Sequence, residues 1–211
     1  MEINQLFKNT YVISLPHRID RQESVKKEIG KLPIFYSFYE GINGHESNYN
    51  GPLLKGEYGV KATHIEILKR CIEENLESCF IFEDDVELHE NILEELERSL
   101  QNIPSNVDML YLGASHHVKP DLIKDNVYKV NHSYCAHAVF INKSVFKLLK
   151  DSLIANENLP LDVIYAIIQP NINAYAIFPH LAWQKNTYSD IQNKFIDYEF
   201  LKREFVRFEK N

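Results

Sequence analysis

Cys79-Phe80-Ile81-Phe82 runs without a break into Glu83-Asp84-Asp85. A continuous apolar run this short has no polar face to offer water. It is expected to be a strand covered on both sides, in the interior of a sheet with helices above and below. In open α/β sheets, ligands bind at the carboxyl ends of the strands. Here that end carries three consecutive acids.

The rest of the chain alternates as such a sheet requires. Tyr11-Val12-Ile13-Ser14-Leu15 reads as a short buried strand stopped by Pro16, and Ile19 to Ile29 has helical charge patterning. Ile34 to Tyr39 reads as a second, aromatic-rich strand. Gly41 to Gly56 holds four of the seven glycines and reads as a long loop, a kind that is often functional. Glu57 to Leu76 predicts a helix with Val60, His64, Leu68 and Cys71 on one face and Ile65 and Ile72 beside them. Ile92, Leu93, Leu96 and Leu100 repeat at helical spacing. Val107 to Leu112 predicts a strand ended by Gly113, and Ala138 to Ile141 a strand leading into the helix Lys143 to Lys150. A late strand ends near Phe178-Pro179. This alternation predicts one α/β domain, a mostly parallel sheet with helices on both faces. It spans residues 1–194, with a C-terminal helix over 195–211 as part of the same domain.

Composition excludes several classes. The chain has 211 residues, which suits one domain with one sizeable core. Its formal net charge is −7, which argues against nucleic-acid binding because phosphate contacts need a basic footprint. The three cysteines, Cys71, Cys79 and Cys135, are scattered, so neither a disulfide framework nor a structural zinc site is expected. Met1 to Lys8 has no apolar run of the secretory kind, and no stretch has the apolar length of a membrane span. A cytoplasmic location is the expectation.

Three adjacent carboxylates repel one another unless solvent or a cation screens them. They are hard oxygen ligands suited to Mg²⁺ or Mn²⁺. Such an ion would bridge phosphate oxygens and neutralise charge on a diphosphate leaving group. The alternative is a solvated turn capping a helix that begins near His89. By themselves the acids fit a phosphatase or a nuclease equally well. Arg18 and Arg21, three apart after the first strand, can share a face where a helix begins and would suit a diphosphate. Local pairing with Asp20 and Glu23 is the alternative.

Ile13-Ser14-Leu15 followed by Arg18, Asp20 and Arg21 resembles the opening of glycosyltransferase family 25, usually Ile-Asn-Leu and then Arg-x-Asp-Arg. That family includes lipooligosaccharide and collagen galactosyltransferases. Gly56-Glu57-Tyr58-Gly59 with Thr63-His64 resembles its Gly-Glu-Ile-Gly and Ser-His motif. Phe82-Glu83-Asp84-Asp85 resembles its Leu-Glu-Asp-Asp. Tyr134 with His137 and Leu148-Leu149, Pro160-Leu161-Asp162, and Gln184 with Ser189-Asp190-Ile191 resemble its later segments. Ser14 departs from the usual Asn, and Val60 stands where Cys is common.

The resemblance implies a GT-A type fold, a divalent metal and a UDP-sugar donor, often UDP-galactose. It places Glu83 and Asp85 at the metal and Ser14, Leu15, Arg18, Arg21, Thr63, His64 and Asp84 at the donor. The implied acceptor is a glycan, a lipid-linked glycan or a hydroxylysine. His64 shares its face with apolar residues, so a buried core histidine is the other reading. His180, after the late strand, is a candidate third metal ligand, with a loop histidine near Trp183 as its alternative. His116-His117 is expected in an exposed loop outside the site.

An inverting transfer needs a carboxylate to take the acceptor proton, and Asp162 is the candidate. It also suits the first turn of a helix. The segment Phe195 to Lys210 mixes apolar and basic residues, which fits packing on the domain, a homodimer contact or a peripheral membrane contact. Two further readings stay open: a metal-dependent phosphohydrolase or nuclease, and a non-catalytic nucleotide-sugar-binding module.

Overall fold

The computed structural model describes residues 1–189, 194–199, 201 and 202. In chain order the elements are α1 (Ile3–Leu6), β1 (Thr10–Ser14), α2 (Ile19–Ile29), β2 (Ser37–Glu40), α3 (Lys55–Glu73), β3 (Ser78–Glu83), β4 (Val86–Leu88), α4 (Ile92–Leu100), β5 (Met109–Tyr111), β6 (Ser115–His116), β7 (Asp121–Lys124), β8 (Val127–Lys129), β9 (Ser133–Tyr134), β10 (Ala138–Asn142), α5 (Lys143–Ala155), α6 (Leu161–Ile168), β11 (Ala174–Ile177), β12 (Ala182–Gln184), β13 (Thr187–Ser189) and β14 (Lys194–Ile196).

Eight strands form the central sheet in the order β2-β1-β3-β10-β5-β11-β8-β7. The pairs β1–β2, β1–β3 and β5–β11 are parallel. β10 runs against both of its neighbours, β3 and β5, and β8 against β11 and β7. All the other strands point the same way, so the sheet is mostly parallel.

Strand residues alternate between two apolar layers, as the two-residue strand period demands. Tyr11, Ile13, Cys79, Ile81, Met109, Tyr111, Val139 and Ile141 join α3, α5 and α6 in one cluster. Val12, Phe80, Phe82, Leu110, Ala138 and Phe140 join α1, α2 and α4 in the other. The result is a helix–sheet–helix sandwich with β3 at its centre. Phe80 and Phe82 are completely buried, with ring centroids 4.5 Å apart, and Phe7 lies 4.6 Å from Phe80. Burial of one such side chain contributes roughly 1.5–3 kcal/mol relative to exposure.

Several expectations are corrected here. The strand at Ala138 enters the sheet antiparallel, because the chain between β5 and β10 spends its length on β6 to β9 rather than on a crossover helix. The β7–β8 hairpin was not anticipated; all four side chains of β7 are exposed at the sheet edge, so no apolar alternation marks it. The helix expected from residue 195 begins instead as β14, paired antiparallel with β13. Of that expected helix, residues 200 and 203–211 lie outside the described residues. His116 is not in an exposed loop: it lies on β6 and is fully buried. No disulfide joins any of the three cysteines. No helix among the described residues is long and apolar enough to cross a membrane.

Candidate active site

β3 ends at Glu83, Asp84 and Asp85 form a turn, and β4 follows at once. β4 pairs with β12, which sets Gln184 opposite Val86. Gln184 Nε2 thereby reaches both acids on that side, Glu83 Oε2 at 3.3 Å and Asp85 Oδ2 at 3.4 Å. Asp84 points elsewhere. Parallel pairing aligns Ile13 with Glu83, so the end of β1 lies beside the turn. Ser14 Oγ donates to Asp84 Oδ2 at 2.6 Å. Arg21, from the first turn of α2, places Nη1 3.0 Å from Asp84 Oδ1 and 3.9 Å from Asp85 Oδ2.

Asp84 therefore has its counter-charge and a hydroxyl donor. Glu83 and Asp85 share one neutral amide. Burial raises the Asp85 carboxyl to about 6 against the opposing pull of Arg21. Burial also raises Glu83 well above the ordinary carboxylate range, helped by repulsion from Asp85, Asp84 and Asp162. Asp85 Oδ1 is buried with no hydrogen-bond partner among the described residues.

The backbone beneath the acids is held by His137. Its carbonyl accepts the Glu83 N–H at 2.9 Å, and its Nε2 faces the Ala182 carbonyl at 3.2 Å, next to the strand that carries Gln184. Burial lowers this imidazole to about 4, which keeps it neutral. Gly113 is needed for the same approach, since a Cβ there would sit 1.8 Å from the Ala182 carbonyl oxygen.

Two cavities meet at this turn. The smaller, about 120 Å³, is lined by Ser14, Leu15, Arg21, Thr63, the loop 41–45 and the three acids. That loop is drawn over the cavity by the Ile42 N–H, which donates to Thr63 Oγ1 at 2.9 Å, and by the Gly41 N–H, which donates to the Ser14 carbonyl. Gly59 permits it to lie on α3; a Cβ at that position would meet the Ile42 carbonyl oxygen at 2.3 Å. The larger cavity, about 450 Å³, is lined by Glu57, Tyr134, Cys135, Asp162 and others. Val60, Glu83, Gln184 and Tyr198 belong to both walls.

Asp162 stands in the first turn of α6 behind Pro160. Its carboxylate accepts the Val163 N–H at 2.9 Å. Burial raises its pKa, and Glu57 adds to the rise.

Other expected residues fall outside these walls. Arg18 is the N-cap of α2 and forks onto Asp20, with both N···O distances 3.0 Å, so the local pairing holds there. His64 is fully buried with Nδ1 3.2 Å from the Tyr165 hydroxyl, and burial lowers it to about 3; it is a core histidine. His180, the expected third metal ligand, is buried with both ring nitrogens in other contacts. Its Nδ1 faces the Leu201 carbonyl at 2.9 Å and its Nε2 faces His116 Nε2 at 3.2 Å. Among the described residues no three His, Cys, Asp or Glu side chains converge as a metal site. Glu57, Cys135 and Tyr198 were not expected as lining residues. Glu57 stood inside a quoted motif, whereas Tyr198 was hidden in a tail read as helical.

A family model described as "Glycosyltransferase family 25 (LPS biosynthesis protein)" matches residues 7–156, which include β1, the acid turn and most of both cavity walls. The chain belongs to glycosyltransferase family 25. Asp162 lies just beyond the matched stretch. Among similar proteins of the family, procollagen galactosyltransferase 1-A of Xenopus laevis is 30% identical over 129 residues, 51% of this chain and 21% of that protein. Inactive glycosyltransferase 25 family member 3 of Homo sapiens is 26% identical over 51% of this chain and 22% of its own length. This chain thus spans about a fifth of either relative. In fold it resembles a solved glycosyltransferase involved in glycosylation of the major capsid of PBCV-1, with TM-score 0.50 and 11% identity over 81% of each chain. The architecture is of the GT-A type.

Proposed function

We propose that this family-25 chain transfers a hexose, galactose before others, from a UDP-sugar to a hydroxyl of a glycan or hydroxylysine acceptor, with inversion. The carrying observation is that two cavities share Glu83 as a wall, one holding Arg21 and the acid turn, the other holding Asp162. That arrangement supports reading one cavity as the donor place and the other as the acceptor place.

The acid turn fits a divalent cation, Mn²⁺ or Mg²⁺. Glu83 and Asp85 are buried carboxylates sharing one amide donor, and Asp85 Oδ1 lacks a partner among the described residues. Two protein carboxylates completed by substrate phosphates is a usual set for such an ion. When bound, it would neutralise charge gathering on the diphosphate leaving group.

The chain's own residues do the rest. Arg21 and the Ser14 hydroxyl hold Asp84, and so fix the turn against β1. In the larger cavity, Asp162 accepts the proton of the acceptor hydroxyl as that oxygen bonds to the anomeric carbon. The bond from the anomeric carbon to the phosphate oxygen breaks, and its electron pair leaves with UDP. A carboxyl raised by burial is a stronger base, suited to this step. Among the described lining residues the larger cavity has the carboxylates Glu57, Glu83 and Asp162 and no Lys, Arg or His, which favours neutral or cationic acceptors over anionic ones.

Titration calorimetry with UDP tests the donor half. Binding is expected to depend on Mn²⁺, and Asp85→Asn is expected to lose most of that dependence while its melting temperature holds. Equal UDP binding with and without Mn²⁺ would remove the cation from the reading. A donor screen that measures UDP release then names the sugar.

A further inference from the structure

Tyr198 lines both cavities, together with Val60, Glu83 and Gln184. It comes from beyond β14, in the tail of the chain. Where the cavities meet, a donor's sugar would face an acceptor's hydroxyl. Glu83 and Gln184 are engaged in the acid turn and Val60 is apolar, so Tyr198 is the aromatic member of that shared wall.

A line of buried hydrogen bonds holds the tail. His180 Nδ1 faces the Leu201 carbonyl at 2.9 Å, and a carbonyl only accepts, so Nδ1 carries the ring's hydrogen. Burial lowers this imidazole to about 4 and keeps it neutral, which makes its Nε2 an acceptor. The nitrogen opposite, His116 Nε2 at 3.2 Å, must then donate. That leaves His116 Nδ1 to accept, and Ser133 Oγ donates to it at 2.7 Å. His116 and Ser133 belong to β6 and β9, the paired strands whose Ser115 and Tyr134 line the larger cavity. The bonds therefore run one way, from the cavity wall to the tail. Ser133, His116, His180 and Leu201 are each 3% exposed or less. The Leu201 N–H donates to the Tyr198 carbonyl at 2.9 Å, so Tyr198 moves with the latched residue. At the surface, Asn186 Oδ1 accepts the Tyr198 N–H at 2.6 Å, and Lys202 Nζ lies 5.1 Å from the Trp183 ring centroid.

We propose that His180 is a positioning residue: its N–H latches the tail at Leu201, and the latched tail sets Tyr198 against the transferred hexose. The proposal rests on the reading of the smaller cavity as the donor place.

The test uses two replacements of one imidazole. Asn places an amide N–H where His has Nδ1, and Gln places one where His has Nε2. His180→Asn therefore keeps the bond to Leu201, and His180→Gln gives it up. Calorimetry in Mn²⁺ compares UDP-galactose with UDP, which lacks the sugar. Tyr198→Ala is expected to weaken UDP-galactose roughly tenfold, the scale of one aromatic contact, and to leave UDP within about twofold. His180→Gln is expected to do the same, and His180→Asn to stay close to wild type. Adding Tyr198→Ala to His180→Gln should cost nothing more. Trp183 is the chain's single tryptophan, so its fluorescence reports the tail without any donor. Its emission should shift to the red in His180→Gln, as Lys202 leaves the ring, and hold in His180→Asn.

Unchanged UDP-galactose affinity in Tyr198→Ala or His180→Gln, an equal loss for UDP, or identical behaviour of the Gln and Asn variants would each overturn the proposal. Should His180→Gln fail to fold, Asn186→Ala releases the Tyr198 N–H at the surface and carries the same expectations. A wild-type protein that binds no UDP would instead overturn the donor reading, and the fluorescence of the His180 variants would still decide the latch.

Discussion

The cavity beside Ser14 and the cavity beside Asp162 share Glu83, yet they are charged differently. In the first, Arg21 sits against Asp84 and within 3.9 Å of Asp85, and Ser14 donates a hydroxyl. In the second, the charged lining residues among those described are all acids. On the proposed reading the first holds the anionic donor once the turn's own charge is offset, and the second takes up a proton and disfavours anions. A substitution on one side should therefore affect donor binding, and one on the other should affect turnover.

The sharpest break of this comparison is Asp162→Asn, which keeps the side-chain shape and removes the proton acceptor. A fall in kcat of roughly 10²–10⁴-fold is expected, as for a lost general base. UDP affinity measured by calorimetry should be unchanged. If UDP affinity fell in step with kcat, the two cavities would not be separate in function.

Arg21→Met is expected to be the next largest. The side chains of Arg21 and Asp84 are 14% and 10% exposed. Removing one partner of a largely buried pair leaves the other charge uncompensated, at a cost of about 3 kcal/mol. Chemical denaturation should show that loss, and the donor KM should rise. Mn²⁺ should restore more stability to this variant than it adds to the wild type, because the carboxylates it would neutralise have lost their guanidinium. Equal gains in both proteins would separate the cation from these acids.

Much of the first cavity was legible in the sequence because its signals are local. Ile19–Ile29 is helical over the bounds that its charge pattern and Pro16 indicate. The apolar run before Glu83 is a central strand, and its acids stand at the strand's end. Asp162 was legible as a first-turn acid, and its neighbourhood with Glu83 comes from the fold. What escaped depends on pairing between distant short strands. Gln184 reaches Glu83 and Asp85 only because the three-residue strands β4 and β12 pair. Three residues carry too little pattern to announce a strand. His180 was open to a metal role until its contacts with Leu201 and His116, 21 and 64 positions away, were seen. The hairpin of β13 and β14 turns the tail back so that Tyr198 lines both cavities, which no helical reading of that tail contains.

The smallest effect is expected at Arg18, and it sharpens the comparison within the donor side itself. A spacing of three suggested that Arg18 and Arg21 share a helical face. That holds only if both residues are helical. Arg18 is the N-cap, at φ −86° and ψ 55°, so its side chain leaves the chain in a different direction from that of Arg21. It forks onto Asp20, whose side chain is 68% exposed, and that hydrogen bond holds the Asp20 carboxyl down at about 2. An ion pair with so exposed a partner contributes about 0–1 kcal/mol and is screened by salt. Arg18→Ala is therefore expected to lower stability by less than about 1 kcal/mol, with most of the loss gone at high salt. Arg18 does not line the smaller cavity, so the donor KM should move less than in Arg21→Met. Steady-state kinetics on both variants decides the matter. An equal rise in donor KM for the two would mean that Arg18 swings from Asp20 to the diphosphate when donor binds, and that the guanidinium count of the donor side is two.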